Sequence, residues 1–187
     1  MQIDRKKFFD GYRAAFGKLE QGQVDGLEFL LGKLEVDPDI LWLSWAAYML
    51  ATVKHETGDT FRPIKEFGRG KGKKYGIPTR SGKIYYGRGY VQLTWERNYL
   101  IMGPYVGEDL ASHPDRALDP DVAYNIMSVG MRKGMFTGRK LSDYLNAESR
   151  DYQNARRIIN SVDCAEKIAR YAVRFEEILE SAIIGEG

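Results

Sequence analysis

Glu56 and Glu66 stand ten positions apart, with Asp59 between them, and the turn formers Gly58 and Pro63 lie in the intervening chain. A chain that turns there brings both glutamates to one cleft. Glycoside hydrolysis needs such a pair: one carboxyl protonates the leaving oxygen, while the other, ionised, activates water or attacks carbon. Glu56 fits the acid. It closes a long apolar stretch, ILWLSWAAYMLATV at 40–53, where burial and the negative end of a helix both favour the protonated form. Glu66 fits the base, because Arg62, Lys65 and Arg69 flank it and favour a carboxylate. Asp59 is the second candidate for the base. Two glutamates at this spacing are commonplace, so the pair alone identifies no enzyme.

Other chemistries fail on spacing. HETGD at 55–59 lacks the second histidine of a zinc-protease helix. In GIPTRSGKI (76–84) the glycines are one residue too far apart for a phosphate loop. There is no G-x-S-x-G elbow, GRGKG (68–72) is not a dinucleotide fingerprint, and no Cys/His cluster offers a metal site. No metal or organic cofactor is expected. The single cysteine, Cys164, excludes an internal disulfide and reads as a buried, structural residue.

The elements that position the pair follow from punctuation and periodicity. With 187 residues, 43% apolar and 29% charged, the chain suits one globular domain with a substantial core. Asp4 caps a first helix ending near Phe16. A second helix runs from Gln21 to Leu34, with Val24, Leu27, Leu30, Leu31 and Leu34 at helical spacing. DPD at 37–39 is expected to start a third helix that reaches His55 or Glu56. The 118–134 segment has a proline start and a glycine stop, and a short helix is expected over Leu141–Leu145. Asp163 is expected to cap an amphipathic last helix bearing Ile168, Tyr171, Ala172, Phe175, Ile178 and Leu179 on one face. Between Gly58 and Gly89 glycines crowd a long loop, with at most a small strand near KIYYG (83–87). The predicted fold is therefore mainly α: one helical domain around a long glycine-rich, basic loop.

That loop concentrates charge. Residues 62–88 hold nine Lys or Arg and one acid, Glu66, in a chain whose net charge is +2. Such a strap favours a polyanion: nucleic acid, envelope phosphates or an anionic glycan. A nucleic-acid-binding module, with lysines on phosphates and tyrosines stacking bases, is the rival function class. It leaves HET at 55–57 and QLTW at 92–95 unexplained.

Those two blocks carry a resemblance. HETGDTF (55–61) and YYGRGYVQLTWERNY (85–99), followed by HPDRALDPDVAYNIMSVGM (113–131) and ARRIINSVDCAEKIARYAVRFEEIL (155–179), resemble the family 19 glycoside hydrolases. This is the chitinase and phage-endolysin group, with a lysozyme-like helical fold. The resemblance spans roughly residues 45–180 in order. It implies that Glu56 is the general acid and Glu66 the general base, and that Gln92 and Thr94 bind sugar and help to place the attacking water. Asn98 and Asn160 fall on its later asparagines, and Lys167 falls where many relatives carry arginine. Tyr90 replaces a smaller residue. His55, Tyr86, Arg88 and Trp95 complete the candidate substrate-binding set. His55 reads more readily as a satisfied buried histidine, and Arg88 as a buttress of the loop.

The expected activity is inverting hydrolysis, with the carboxyls about 6.5–9.5 Å apart. The expected substrate is peptidoglycan, cut between N-acetylmuramic acid and N-acetylglucosamine; chitin is the alternative. The N-terminus lacks an apolar signal core, and the apolar run at 40–53 is short for a membrane span. The expectation is thus a monomer made in the cytoplasm and released to the wall through a holin, with no nucleic-acid partner.

Overall fold

The computed structural model describes residues 1–184. In chain order the elements are β1 (Gln2–Ile3), α1 (Arg5–Phe16), α2 (Gln21–Val36), α3 (Leu43–Glu56), β2 (Ile64–Lys65), β3 (Arg88–Gly89), α4 (Glu96–Val106), α5 (Pro120–Lys133), α6 (Ala165–Ala182) and β4 (Ile183–Ile184). Single 3₁₀ turns lie at Lys74–Gly76, Pro114–Leu118, Leu141–Asp143 and Asn154–Ile158. The domain is mainly helical, with two small antiparallel pairs: β1 with β4 and β2 with β3.

Helix α3 is the centre. Every residue from Ser44 to Lys54 is buried, as its apolar sequence on all faces requires. Helix α6 packs along α3 and against α1, seating Ile168, Ala172, Phe175 and Leu179 in the core. The far end of α3 is tied down by Trp45, whose indole Nε1 donates to the Leu145 carbonyl at 2.8 Å.

Helix α1 keeps its expected ends: Asp4 accepts from the Lys7 amide at 3.0 Å, and Gly17 closes the last turn. Helix α5 starts at Pro120, with Asp119 capping it, and stops at Gly134 in the left-handed region. Four expectations are corrected. DPD does not open α3. Asp37 is extended, as a residue before proline tends to be, and closes α2 instead; its carboxylate accepts from Ser128 Oγ at 2.7 Å and Tyr124 Oη at 3.0 Å. The KIYYG segment is not itself a strand, and pairing begins only at Arg88. Asp163 does not cap α6; Cys164 occupies that position with φ +55, and it is exposed rather than buried. Helix α4 is capped by Trp95, at φ +73, and the Thr94 hydroxyl donates backwards to the Gln92 carbonyl at 2.7 Å.

Among the described residues no helix is long and apolar enough to cross a membrane.

Candidate active site

A cleft of about 590 Å³ opens between the end of α3, the β2–β3 pair and the start of α4. Glu56, Glu66, Gln92, Thr94, Trp95, Asn98 and Asn160 all line it, together with Tyr75, Gly87, Phe136 and Ile159. The fold thus brings seven of the expected residues together. His55, Asp59, Tyr86, Arg88 and Lys167 are not among its lining residues.

Glu56 does not sit in apolar surroundings alone. Its Oε1 accepts from Arg156 Nη1 at 2.5 Å, and Arg156 is only 3% exposed. Arg156 Nε donates to the Asp163 carbonyl at 2.9 Å, so the guanidinium links the tip of α3 to the chain entering α6. Oε2 of Glu56 is left without a protein partner among the described residues. The sequence reading missed Arg156, because its partner lies 100 positions away.

Glu66 is held differently from expectation. Lys65 pairs with Asp115 at 2.8 Å and Arg62 with Asp25 at 3.5 Å; neither reaches the Glu66 carboxylate. Its oxygens accept from Tyr75 Oη at 2.7 Å and from the Gly87 amide at 3.0 Å. Tyr75 also meets Trp95 edge to face, with ring centroids 5.3 Å apart. The bond to Glu66 pushes the Tyr75 hydroxyl up to about 12. Tyr75 is the second residue that sequence reasoning missed; the only signal was a lone aromatic in a lysine-rich turn.

Gly87 is the hinge of this wall. A Cβ there would lie 2.8 Å from Gln92 Oε1 and 3.3 Å from Thr94 Oγ1, so a larger residue would push the Gln92 side chain out of its present place in the wall. The Gln92 amide is committed to the wall, donating to the Ile64 and Gly89 carbonyls at 3.2 and 3.1 Å. Only its Oε1 is open to a sugar. Asn98 Nδ2 donates to the Thr94 carbonyl at 2.8 Å, and Asn160 Oδ1 accepts from the Ser161 amide at 2.9 Å. Gln92 and Trp95 have φ of +53 and +73, conformations that L side chains adopt at a cost and that cluster at functional sites.

The remaining candidates lie elsewhere. Asp59 pairs with Lys54, which is buried among the rings of Tyr12, Phe16, Phe61 and Tyr171. Burial pulls the Lys54 ammonium down, but its bonds to Asp59 and Tyr12 outweigh this and leave it above the ordinary value. Asp59 therefore neutralises a buried cation rather than serving the cleft. Arg88 is a buttress: it pairs with Asp115 at 2.7 Å and donates to the Ile84 and Tyr86 carbonyls and to Tyr99 Oη. Its guanidinium lies 3.6 Å from the centre of the Tyr86 ring, so Tyr86 packs on the back of the wall. Burial lowers the His55 imidazole below its usual value. Lys167 lines a neighbouring hollow with Arg157, Val162 and Cys164.

The chain is similar to known proteins in part of its sequence and in its fold. The family model described as chitinase class I, Glyco_hydro_19, matches residues 55–130. Residues 55–130 are thus similar to the family 19 glycoside hydrolases. An endochitinase of Arabidopsis thaliana is 42% identical over 81 residues, covering 42% of this chain and 28% of that protein. Endochitinase A2 of Pisum sativum is 46% identical over 49 residues, covering 26% and 15%. The chain thus spans less than a third of the length of these curated relatives. The fold is shared over nearly its whole length with the crystal structure of chitinase C from Streptomyces griseus: TM-score 0.62 and 22% identity, over 98% of this chain and 95% of that one. A bacterial family 19 chitinase aligns with TM-score 0.54 and 21% identity, over 98% of both chains. The matched segment contributes Glu56, Glu66 and the wall from Gly87 to Asn98. Arg156 and Asn160 come from beyond it.

Proposed function

We propose that this chain is an inverting glycoside hydrolase acting on β-1,4-linked N-acetylated amino-sugar glycans. The observation that carries the reading is the convergence of Glu56 and Glu66 on one cleft within the segment similar to family 19. Glu56 is the general acid: Arg156 occupies Oε1, and Oε2 is left to carry the proton to the glycosidic oxygen. Glu66 is the general base. Tyr75 and Gly87 fix its orientation, leaving further lone pairs for a proton from water. The Thr94 hydroxyl spends its hydrogen on Gln92, so its oxygen accepts the second hydrogen of that water. A water held by two acceptors points a lone pair at carbon, and attack from that side inverts the anomeric centre. Trp95, half-exposed on the rim, offers an aromatic face to a sugar.

Peptidoglycan is the proposed substrate, cleaved as by a muramidase. Arg157 and Lys167, in a hollow that Val162 lines two positions after Asn160 of the cleft, have no carboxylate partner among the described residues. Peptidoglycan carries peptide carboxylates that can pair with them, whereas chitin is uncharged. This reading places the enzyme's work at the cell wall. The second reading, chitin hydrolysis, is favoured by the relatives, which are named as chitinases. Side-by-side digestion of purified peptidoglycan and chitin oligomers, with mass analysis, decides between them. Peptidoglycan fragments with N-acetylmuramic acid at the reducing end, first released as the α-anomer, are expected. Rapid chitin breakdown without such fragments reverses the substrate. Anhydro ends as the main product remove the base role given to Glu66.

A further inference from the structure

The strap from Glu66 to Lys83 has a surface the cleft does not use. Arg69, Lys71, Lys73, Lys74 and Arg80 are exposed, and none lies within ion-pair distance of a carboxylate among the described residues. Phe67 is 103% exposed and Ile77 64%. Consecutive turns close at Arg69, Lys71, Lys73 and Gly76. Gly70 and Gly76 touch backbone to backbone, so closely that a Cβ on Gly76 would lie 1.8 Å from the Gly70 carbonyl oxygen. The lysine-bearing loop therefore closes on itself at that contact. Phe67 enters just before it and Ile77 leaves just after it.

We propose that this strap docks on a bilayer surface bearing anionic headgroups, with Phe67 and Ile77 entering the headgroup region and the lysines and arginines on its phosphates. Charge alone would suit any polyanion. The two bare apolar side chains decide the class. A soluble phosphate polymer gives them nothing to bury against, whereas cationic groups beside exposed aromatic and aliphatic ones are the composition of an interfacial membrane contact. Lysines near an anionic surface each add a similar increment of attraction, weakened by salt.

The experiment is co-sedimentation of the full chain with vesicles of phosphatidylcholine alone and of phosphatidylcholine mixed with phosphatidylglycerol. Binding is expected to the mixed vesicles only, and to fall in high salt. Neutralising Lys71, Lys73 and Lys74 to glutamine should weaken it on the order of a hundredfold. Phe67→Ser should weaken it about tenfold while leaving binding to inorganic polyphosphate unchanged. All these side chains are exposed, so circular dichroism of both variants should match the parent. Equal binding to both vesicle types overturns the proposal. So does vesicle binding that Phe67→Ser leaves intact while the lysine variant loses it, since the strap would then be a site for soluble polyanions such as nucleic acid or a wall polymer.

Discussion

Glu56 and Glu66 share a cleft but are held by opposite kinds of structure. Glu56 ends a helix buried along its length, and its partner is a buried guanidinium on a distant segment. Glu66 follows a two-residue strand, and its partners are a backbone amide and a tyrosine on a surface loop. One wall is set by the core; the other is set by local turns and one close glycine contact. Changes to the groups that support Glu56 should therefore register in stability, and changes to those that support Glu66 in turnover.

The largest effect expected is on the chemistry itself. Glu56→Gln keeps an oxygen for Arg156 but has no proton to give, and glycan turnover should fall about 10²–10⁴-fold. Glu66→Gln should be comparably severe, whereas Asp59→Asn should retain most activity because Asp59 serves Lys54. A dead Asp59→Asn beside an active Glu66→Gln would exchange their roles and break the comparison.

Next comes Arg156→Met. Removing one partner of a buried pair typically costs roughly 3–5 kcal/mol, and the melting temperature should drop by about 10 °C in a domain of this size. Calorimetry measures it. An unshifted melting point would show that the helical wall does not depend on this link.

Tyr75→Phe is the contrasting case. The hydroxyl bonds a carboxylate on a half-exposed loop, so turnover should fall about tenfold while the melting temperature stays within a degree or two. Steady-state rates and a thermal scan on one preparation separate the two walls.

The smallest effect is spectroscopic. Tyr75 has a folded-state value of about 12, above that of a free tyrosine. Whatever stability its bond to Glu66 contributes is fully present below the unfolded value near 10 and is lost as pH rises through about 12. An alkaline ultraviolet titration of the parent minus Tyr75→Phe should show one phenol ionising near pH 12. A difference curve centred near the free value would mean that Tyr75 does not hold Glu66.

The same contrast explains what was legible in the sequence. Glu56 could be read because an apolar run announces a core helix and its end. Helices α1 and α5 could be read because Asp4, Pro120 and Gly134 act through their immediate neighbours. Arg156 could not, since no local pattern distinguishes a buried arginine in RRII from a solvated one. Tyr75 could not, because its direction follows from four consecutive turns and the Gly70–Gly76 contact rather than from any periodicity. The cap assigned to Asp163 failed because Cys164 takes a positive φ, and tertiary packing overrides the local preference. The resemblance identified seven of the residues that gather at the cleft, but not that the Gln92 amide would be committed to its own wall.

The link from Glu56 to Arg156 spans 100 positions, as does that from Trp45 to Leu145. Helix α3 therefore emerges from the ribosome well before the segments that cover it. Contacts this remote in sequence form slowly, and a helix apolar on all faces is prone to aggregate while it waits. A nascent chain halted before residue 156 carries Glu56 at the tip of an uncovered apolar rod, without its guanidinium. A chain truncated before residue 156 should therefore aggregate more readily than the full chain.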